Sequence, residues 1–223
     1  MRVLVAFECS GAVRRAFRAL GHEAWSCDLK PAEDGGEHLL GDVRAVLDAG
    51  LAAATWFRPG WDLVIAHPSC QYLCSSGLHW NSRVPGRAEK TEEALGMVRW
   101  LMGLPVPRLV IENPHGRIGT AIRKADQTVQ PYQFGDDASK ATALWLKGLP
   151  LLTGTKRVPG RMVEWPKGSG RMVERWANQT DSGQNRLGPS PTRAADRART
   201  YPGIAAAMAD QWGAPRPAKG NNT

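Results

Sequence analysis

Two side chains that can take part in covalent chemistry follow two short apolar segments of the sequence. Cys70 comes shortly after the run 63–66, and Glu112 comes directly after the run 109–111. A thiolate is a good nucleophile toward an electron-poor carbon, and a buried acid can keep or donate a proton. The two residues therefore predict nucleophilic catalysis assisted by an acid. The structural alternatives are that Cys70 is a small buried apolar residue and that Glu112 caps a helix or pairs with Arg117.

Both residues need elements that bring them together. Short apolar runs ended by a proline, here Pro68 and Pro114, are typical of buried parallel strands, whose carboxyl ends carry ligands in open α/β sheets. His67 is predicted to be a hydrogen-bonded structural histidine or a contact of the substrate or Glu112. Strands and helices alternate from the first residue, which predicts a Rossmann-like α/β fold with a mostly parallel sheet. The predicted strands are 2–7, 22–27, 39–43, 63–66 and 109–111, and the predicted helices are 12–20 (ended by Gly21), 43–54 and, after a polar loop at 81–90, 91–104.

The order of elements changes after Pro114. Residues 142–146 predict one further strand, and the near-repeat of 160–164 at 170–174 predicts a hairpin or twin loops, with a flexible insertion as the alternative. Residues 192–213 predict a helix, a turn and a second helix. The predicted divisions are a catalytic and cofactor-binding domain (1–150), a small basic insert (151–185), a helical segment returning to the first domain (186–213) and a disordered tail (214–223).

Composition indicates the class of partner. In 223 residues, 29 Lys and Arg against 21 Asp and Glu give a formal net charge of +8, which suits a polyanion such as nucleic acid. The basic region 151–200 is predicted to contact phosphates. The tryptophans are predicted mostly to pack in the interior, and the alternative for Trp165 or Trp176 is stacking on a base. The four cysteines show neither a disulfide framework nor metal-site spacing. The N-terminus is typical of neither a signal peptide nor a membrane span, so we expect a soluble cytoplasmic protein of a bacterial or phage-infected cell.

Polar residues at the other strand ends predict a nucleotide-like cofactor. A strand, a turn containing Gly11 and a helix together form a binding unit that uses helix N–H groups and close backbone approach. Asp28 is placed to accept hydrogen bonds from ribose hydroxyls, and Asp42 is placed to accept one from an exocyclic amine. These acids in strand order predict a cofactor that carries adenosine.

Four motifs of this sequence resemble those of the DNA cytosine-5 methyltransferase family. Residues 7–11, Phe-Glu-Cys-Ser-Gly, resemble the cofactor motif Phe-x-Gly-x-Gly, and residues 68–71, Pro-Ser-Cys-Gln, resemble the nucleophile motif Pro-Pro-Cys-Gln. Residues 112–114, Glu-Asn-Pro, resemble Glu-Asn-Val. The segment 186–189, Arg-Leu-x-Pro, is loosely similar to a late Arg-x-Leu-x-Pro motif. The resemblance covers the first 120 residues well and the remainder thinly.

The resemblance implies S-adenosyl-L-methionine as the cofactor and a cytosine of DNA as the substrate. Cys70 would attack C6 of the ring while Glu112 holds or protonates N3. The C5 atom would then take the methyl group, and loss of the C5 proton with β-elimination would free the enzyme; a cytosine in a duplex would first have to be flipped out. The residues implied to bind the cofactor are Phe7, Gly11, Asp28, Asp42 and Pro68, and those implied to bind the substrate are Ser69, Gln71, Asn113, His115, Lys140, Arg186 and Arg193.

Departures from the family's motifs keep two alternatives open. Cys9 replaces the first glycine of the cofactor motif and Ser69 replaces the second proline of the nucleophile motif. No Gln-x-Arg-x-Arg motif follows Glu112, so Lys140 is a candidate for its arginine contact, and the region available for target recognition is short, as in compact bacteriophage-type members. One alternative is the same chemistry on RNA or a free cytidine nucleotide, with Cys74 as the second cysteine that RNA-type enzymes commonly use. The other is a non-catalytic DNA-binding protein.

Overall fold

A seven-stranded sheet with helices on both faces forms the core of the chain. The structure is a computed structural model that describes residues 1–52 and 60–214. The strands are β1 (Arg2–Ala6), β2 (Glu23–Asp28), β3 (His38–Leu40), β4 (Leu63–Ala66), β5 (Leu109–Asn113), β6 (Gln127–Val129), β7 (Thr142–Lys147), β8 (Arg161–Glu164) and β9 (Met172–Arg175). The helices are α1 (Ala12–Ala19), α2 (Val43–Ala52), α3 (Ser75–Leu78), α4 (Arg87–Gly103), α5 (Arg117–Ala121), α6 (Arg193–Ala198) and α7 (Pro202–Gly213).

The strand order of the large sheet is β3-β2-β1-β4-β5-β7-β6. The first five strands of this order are parallel, whereas β7 is antiparallel to both β5 and β6. The α/β class and the mostly parallel sheet are thus confirmed. The orientation of β7 departs from simple strand–helix alternation because no α-helix lies between β6 and β7 to carry the chain back for a parallel crossover.

Two apolar layers cover the two faces of the sheet. Alternate residues of a strand point to opposite faces, so Leu4 and Val64 join one buried cluster while Val3 and Ile65 join the other. Helices α2 and α4 supply the first cluster, and α1 and α7 supply the second. The C-terminal helix is therefore part of the core around the first strands, and Trp212 is buried within it.

Most of the predicted elements match the structure, with one correction near the nucleophile motif. Helix α1 ends before Gly21, whose φ of 79° is the left-handed conformation expected just beyond a helix. The polar loop predicted at 81–90 is wrong in extent, because α4 already begins at Arg87 and the short helix α3 precedes it. The first turn of α4 is rich in charged residues on its solvent side, so it lacks the apolar periodicity that reveals a helix in sequence.

The basic insert contains an ordered hairpin. Strands β8 and β9 pair antiparallel, with Val163 opposite Val173, which confirms the hairpin interpretation of the near-repeat. Trp176 is buried and stacks on Tyr132 at 3.9 Å between ring centroids, which confirms packing for this residue and makes the base-stacking alternative wrong. Trp165 remains exposed beside the hairpin turn. Residues 53 and 54 of the predicted second helix, and the predicted tail beyond Ala214, lie outside the described residues.

Candidate active site

The predicted site residues follow the carboxyl ends of neighbouring parallel strands. Phe7 follows β1, Asp28 ends β2, Pro68 follows β4, and Glu112 lies near the end of β5. Asp42 follows β3 in the same way. Because these five strands are parallel and adjacent, their carboxyl ends form one edge of the sheet. The sheet therefore brings the predicted cofactor residues and the predicted catalytic residues to the same edge.

The loop that carries Cys70 is hydrogen-bonded to the end of β5. The Asn113 side-chain amide donates to the Pro68 carbonyl at 2.7 Å, and the Arg117 backbone N–H donates to the Leu73 carbonyl at 2.7 Å. Within the loop, the Cys74 N–H donates to the Cys70 carbonyl at 3.0 Å. These bonds fix the segment around the thiol against the strand that presents Glu112.

Gly116 allows the Cys70 loop to pack closely against the residues that follow β5. A Cβ atom at Gly116 would lie 2.0 Å from the Leu73 carbonyl oxygen and 2.9 Å from the Cys74 Cα. Any larger residue would therefore push the Cys70 loop away from β5.

The Glu112 carboxylate forms a buried pair with His67. His67 Nδ1 and Glu112 Oε2 are 2.5 Å apart, and each side chain is only 10% exposed. Thr142, at the start of β7, helps to lower the pKa of Glu112, while its hydroxyl donates to the Lys140 carbonyl at 3.2 Å. The partner of Glu112 is thus His67 rather than Arg117, and its position on a strand rules out a helix cap. His67 is buried and hydrogen-bonded to Glu112, which confirms the prediction of a hydrogen-bonded histidine and of a contact with Glu112.

The charges around this pair oppose the effect of burial on the pKa values of both groups. Burial disfavours the imidazolium, but the hydrogen bond and charge of Glu112, with the charge of Glu8, raise the pKa of His67. Burial likewise disfavours the carboxylate, but the hydrogen bond and charge of His67, and the charge of Lys140, lower the pKa of Glu112. Each group of the pair therefore favours the charged form of the other.

The Cys70 thiol is partly buried and is not strongly activated by its surroundings. Burial and the neighbouring Cys74 raise the pKa of Cys70, while the positive charges of Lys140 and Arg197 act in the opposite direction. Lys140 thus influences Cys70, His67 and Glu112 together. Its Nζ donates to the Arg199 carbonyl at 3.2 Å, which holds the ammonium near the C-terminal segment.

Lys140→Met is expected to make the Cys70 thiol less reactive, because it removes a positive charge that favours the thiolate. The rate of Cys70 alkylation by iodoacetamide at pH 8 should fall about three- to tenfold, because a smaller fraction of the thiol is ionised at that pH. Mass spectrometry of the digested protein separates Cys70 from the other three cysteines. Lys124→Met, which removes an exposed lysine of the β5–β6 connection, is the matched control. Equal rates for Lys140→Met and the wild type would contradict the electrostatic role of Lys140.

The turn after β1 has two unusual features. Phe7 has a φ of 61°, in the left-handed region that residues other than glycine rarely adopt, and Gly11 has a φ of 69°. The Glu8 carboxylate, which is 6% exposed, accepts hydrogen bonds from the backbone N–H groups of Val13 at 2.8 Å and Arg14 at 3.4 Å. The protein itself therefore supplies the anion at the N-terminus of α1. Glu8 had no predicted role, and its only signal in the sequence is an acid between a buried strand and a glycine turn.

The two predicted cofactor acids are partly engaged in local hydrogen bonds. Asp28 Oδ1 accepts from the Lys30 N–H at 2.9 Å, and Asp42 Oδ1 accepts from the Arg44 N–H at 2.7 Å. Each aspartate has a second carboxylate oxygen that can accept from a ligand. Carboxylates at adjacent strand ends fit the hydroxyl and amine donors of adenosine, and Glu8 fits a cationic group next to it. The side chains present are thus chemically suited to S-adenosyl-L-methionine.

The remaining predicted substrate residues lie in different surroundings. Ser69 and Gln71 are exposed on either side of Cys70. His115 is exposed, hydrogen-bonds through Nε2 to Thr128 Oγ1 at 2.9 Å, and lines a separate cavity of about 360 Å³. Arg186 is exposed and donates through Nε to the Gln179 carbonyl at 2.8 Å. Arg193 begins α6, the helix that also carries Arg197. Within the described residues, no group of His, Cys, Asp and Glu side chains is arranged to hold a metal ion.

The strand order of the sheet, with its antiparallel seventh strand, is that of the Rossmann-like S-adenosyl-L-methionine-dependent methyltransferase fold. Among the helices described, none combines the length and hydropathy needed to span a membrane. No family model matches the sequence, and comparison with curated proteins gives no match.

Three solved structures share parts of this fold at low similarity. A protein described as a DNA modification methyltransferase encoded within an Escherichia coli prophage has a TM-score of 0.48 and 14% identity, over 72% of this chain and 52% of that one. The Dnmt2 methyltransferase of S. pombe has a TM-score of 0.43 and 17% identity, over 68% and 51%. An rRNA methylase from Escherichia coli has a TM-score of 0.35 and 16% identity, over 66% and 56%. The chain spans about half of the length of these proteins, and likenesses this weak support no inference about activity.

Proposed function

We propose that this protein is an S-adenosyl-L-methionine-dependent methyltransferase that modifies C5 of cytosine in DNA through a covalent bond between Cys70 and C6. The observation that carries the proposal is the hydrogen-bonded junction between the Cys70 loop and the end of β5, where Asn113 donates to the Pro68 carbonyl beside the Glu112 carboxylate. A nucleophile and an acid on adjoining strand ends are the two groups that addition to a pyrimidine ring requires.

The cofactor assignment is supported by the charge at the first turn. Rossmann-like sites for dinucleotides bind a pyrophosphate at the free N–H groups of the first helix. Here the buried Glu8 carboxylate already accepts from the N–H groups of Val13 and Arg14, and its negative charge would repel a phosphate. The same carboxylate would attract the sulfonium and ammonium groups of S-adenosyl-L-methionine. Asp28 and Asp42 would bind its ribose and adenine, with Phe7, Gly11 and Pro68 forming the walls.

The side chains of the site have distinct roles in this proposal. Cys70 adds its sulfur to C6 of the cytosine, and Glu112 holds or protonates N3 as electrons move into the ring. Lys140 supports the thiolate of Cys70 through its charge. The bound cofactor supplies an electrophilic methyl group, which C5 takes up. Solvent water then takes the C5 proton, the C5–C6 double bond re-forms as the Cys70–C6 bond breaks, and Cys70 leaves as the thiolate.

The excess of positive charge supports a nucleic-acid partner, although some arginines of the basic insert already form ion pairs within the protein. Arg157 pairs with Glu174 and Arg161 pairs with Asp181. Lys167 and Arg171 are exposed at the tip of the hairpin, where they are available to contact phosphates. Arg186 and Arg193 complete the proposed basic surface.

A second candidate, the same chemistry on RNA, is favoured by one observation. Cys74 lies one turn beyond Cys70, close enough for its charge to affect the Cys70 thiol, as a second catalytic cysteine would require. The DNA assignment remains the primary proposal because of the Glu-Asn motif at 112–113.

The proposal is tested by supplying isotope-labelled S-adenosyl-L-methionine with duplex DNA, single-stranded DNA, RNA or dCMP in separate reactions. We expect label in DNA, recovered after digestion as 5-methylcytosine. Label in RNA or dCMP alone would establish an alternative substrate. If no substrate is labelled while calorimetry shows that the protein binds DNA, the non-catalytic reading is supported and the proposed activity is wrong.

A further inference from the structure

A buried histidine next to the candidate acid has no role in the chemistry outlined so far. His67 lies between the end of β4 and the Cys70 loop, and its Nδ1 is 2.5 Å from Glu112 Oε2. Its other ring nitrogen, Nε2, is buried and has no hydrogen-bond partner among the described residues. A buried ionisable ring with one nitrogen bound to a carboxylate and the other unpaired is costly to maintain for packing alone.

Three charged groups from different elements face this ring. Glu112 comes from β5, Glu8 from the turn after β1, and Lys140 from the segment before β7. The two carboxylates favour a proton on His67, whereas burial, Lys140 and the unpaired Nε2 disfavour the imidazolium. Taken together, these effects raise the pKa of His67 and favour the proton on the ring, next to the carboxylate that can pass it on.

We propose that His67 is a positioning residue that holds the Glu112 carboxyl and shares with it the single proton that N3 of the pyrimidine takes up. The inference rests on the proposed function. When Cys70 adds its electron pair to C6, the π electrons of the ring move toward N3. The shared proton then passes from Nδ1 of His67 through the Glu112 carboxyl to N3, which leaves Glu112 as a carboxylate and His67 as a neutral ring. The proton returns along the same path when the bond between sulfur and C6 breaks and the double bond between C5 and C6 re-forms.

The first test measures methyl transfer against pH in His67→Asn, His67→Ala and the control His22→Asn. Asparagine keeps an N–H donor near the position of Nδ1 but does not titrate, so it separates positioning from proton storage. In the wild type, activity should fall as pH rises through the raised pKa of the pair. In His67→Asn this decline should begin at least about one pH unit lower, with a loss of about tenfold or more at pH 8.

The His67→Ala variant should lose more activity than His67→Asn at every pH, because it removes the hydrogen bond as well. His22 packs against Phe17 on the far side of α1, so His22→Asn should reproduce the wild-type profile. A His67→Asn profile that coincides with the wild type would overturn the proton-sharing role.

A second test needs no methyl transfer. The His67 ring is titrated by NMR in the wild type and in Glu112→Gln. We expect His67 to titrate above its ordinary pKa of 6.5 in the wild type, because Glu112 and Glu8 stabilise its proton, and below 6.5 in Glu112→Gln, where burial is no longer offset by Glu112. Identical titration in both proteins would refute the inference. If the wild type methylates nothing, the proposed function fails, while this titration still decides whether the two groups share a proton.

Discussion

Cys70→Ala is expected to reduce methyl transfer at least about a thousandfold, because removal of a catalytic nucleophile typically costs several orders of magnitude. The alanine side chain cannot add to C6, so C5 does not become nucleophilic. Binding of DNA and of S-adenosyl-L-methionine should change little, because Cys70 lies on a loop fixed by backbone hydrogen bonds and by Asn113. The measurements are single-turnover transfer of label and calorimetric binding of each ligand.

Cys74→Ala is the matched control for this experiment. Both cysteines lie on the same turn, and only Cys70 occupies the motif position of the nucleophile. Loss of activity in Cys74→Ala, together with label in RNA, would show that the site uses two cysteines and acts on RNA. Retention of near wild-type transfer by Cys70→Ala would show that the assigned role of Cys70 is wrong. A DNA substrate containing 5-fluorocytosine should trap wild-type protein covalently, because fluorine at C5 cannot leave as a proton does.

Glu112→Gln is expected to lower kcat by about 10²–10⁴-fold, the usual contribution of a general acid. The glutamine amide has nearly the shape of the carboxyl group and can hydrogen-bond to N3, but it cannot deliver a proton as the carboxyl can. KM should therefore change much less than kcat. Glu93→Gln, on the exposed side of α4, is the control for loss of a negative charge. Glu112→Gln activity within a few-fold of the wild type would indicate that Glu112 has no proton-transfer role.

The same variant should also alter the pH dependence of stability. The lowered pKa of Glu112 means that its stabilising contribution is present above the ordinary glutamate value of 4.5 and is lost as pH falls. The raised pKa of His67 means that its contribution is present below 6.5 and is lost as pH rises through the folded-state value. The difference in unfolding free energy between the wild type and Glu112→Gln should therefore be largest between about pH 4.5 and 6.5 in urea titrations.

The sequence by itself determined the α/β class and most of the strands. Continuous apolar runs such as 63–66 and 109–111 have no polar face, so they require burial on both sides of a sheet. Alternation of strands with helices makes most neighbouring strands parallel. The placement of Cys70 and Glu112 at strand ends follows from the same pattern. The near-repeat at 160–164 and 170–174 also indicated its hairpin, because two short similar segments on either side of the turn residues 166–169 can pair as antiparallel strands.

Tertiary structure alone decided the partners of the site residues. The spacing along the chain does not show that His67 hydrogen-bonds to Glu112, which lies 45 residues away, since this contact depends on β4 and β5 being neighbours in the sheet. The sequence left open whether Trp176 packs or stacks on a base, because its burial against Tyr132 depends on contacts between distant segments. The local sequence pattern determines where helices and strands form. The charge and protonation of the site depend on side chains from distant segments, which only the assembled sheet brings together.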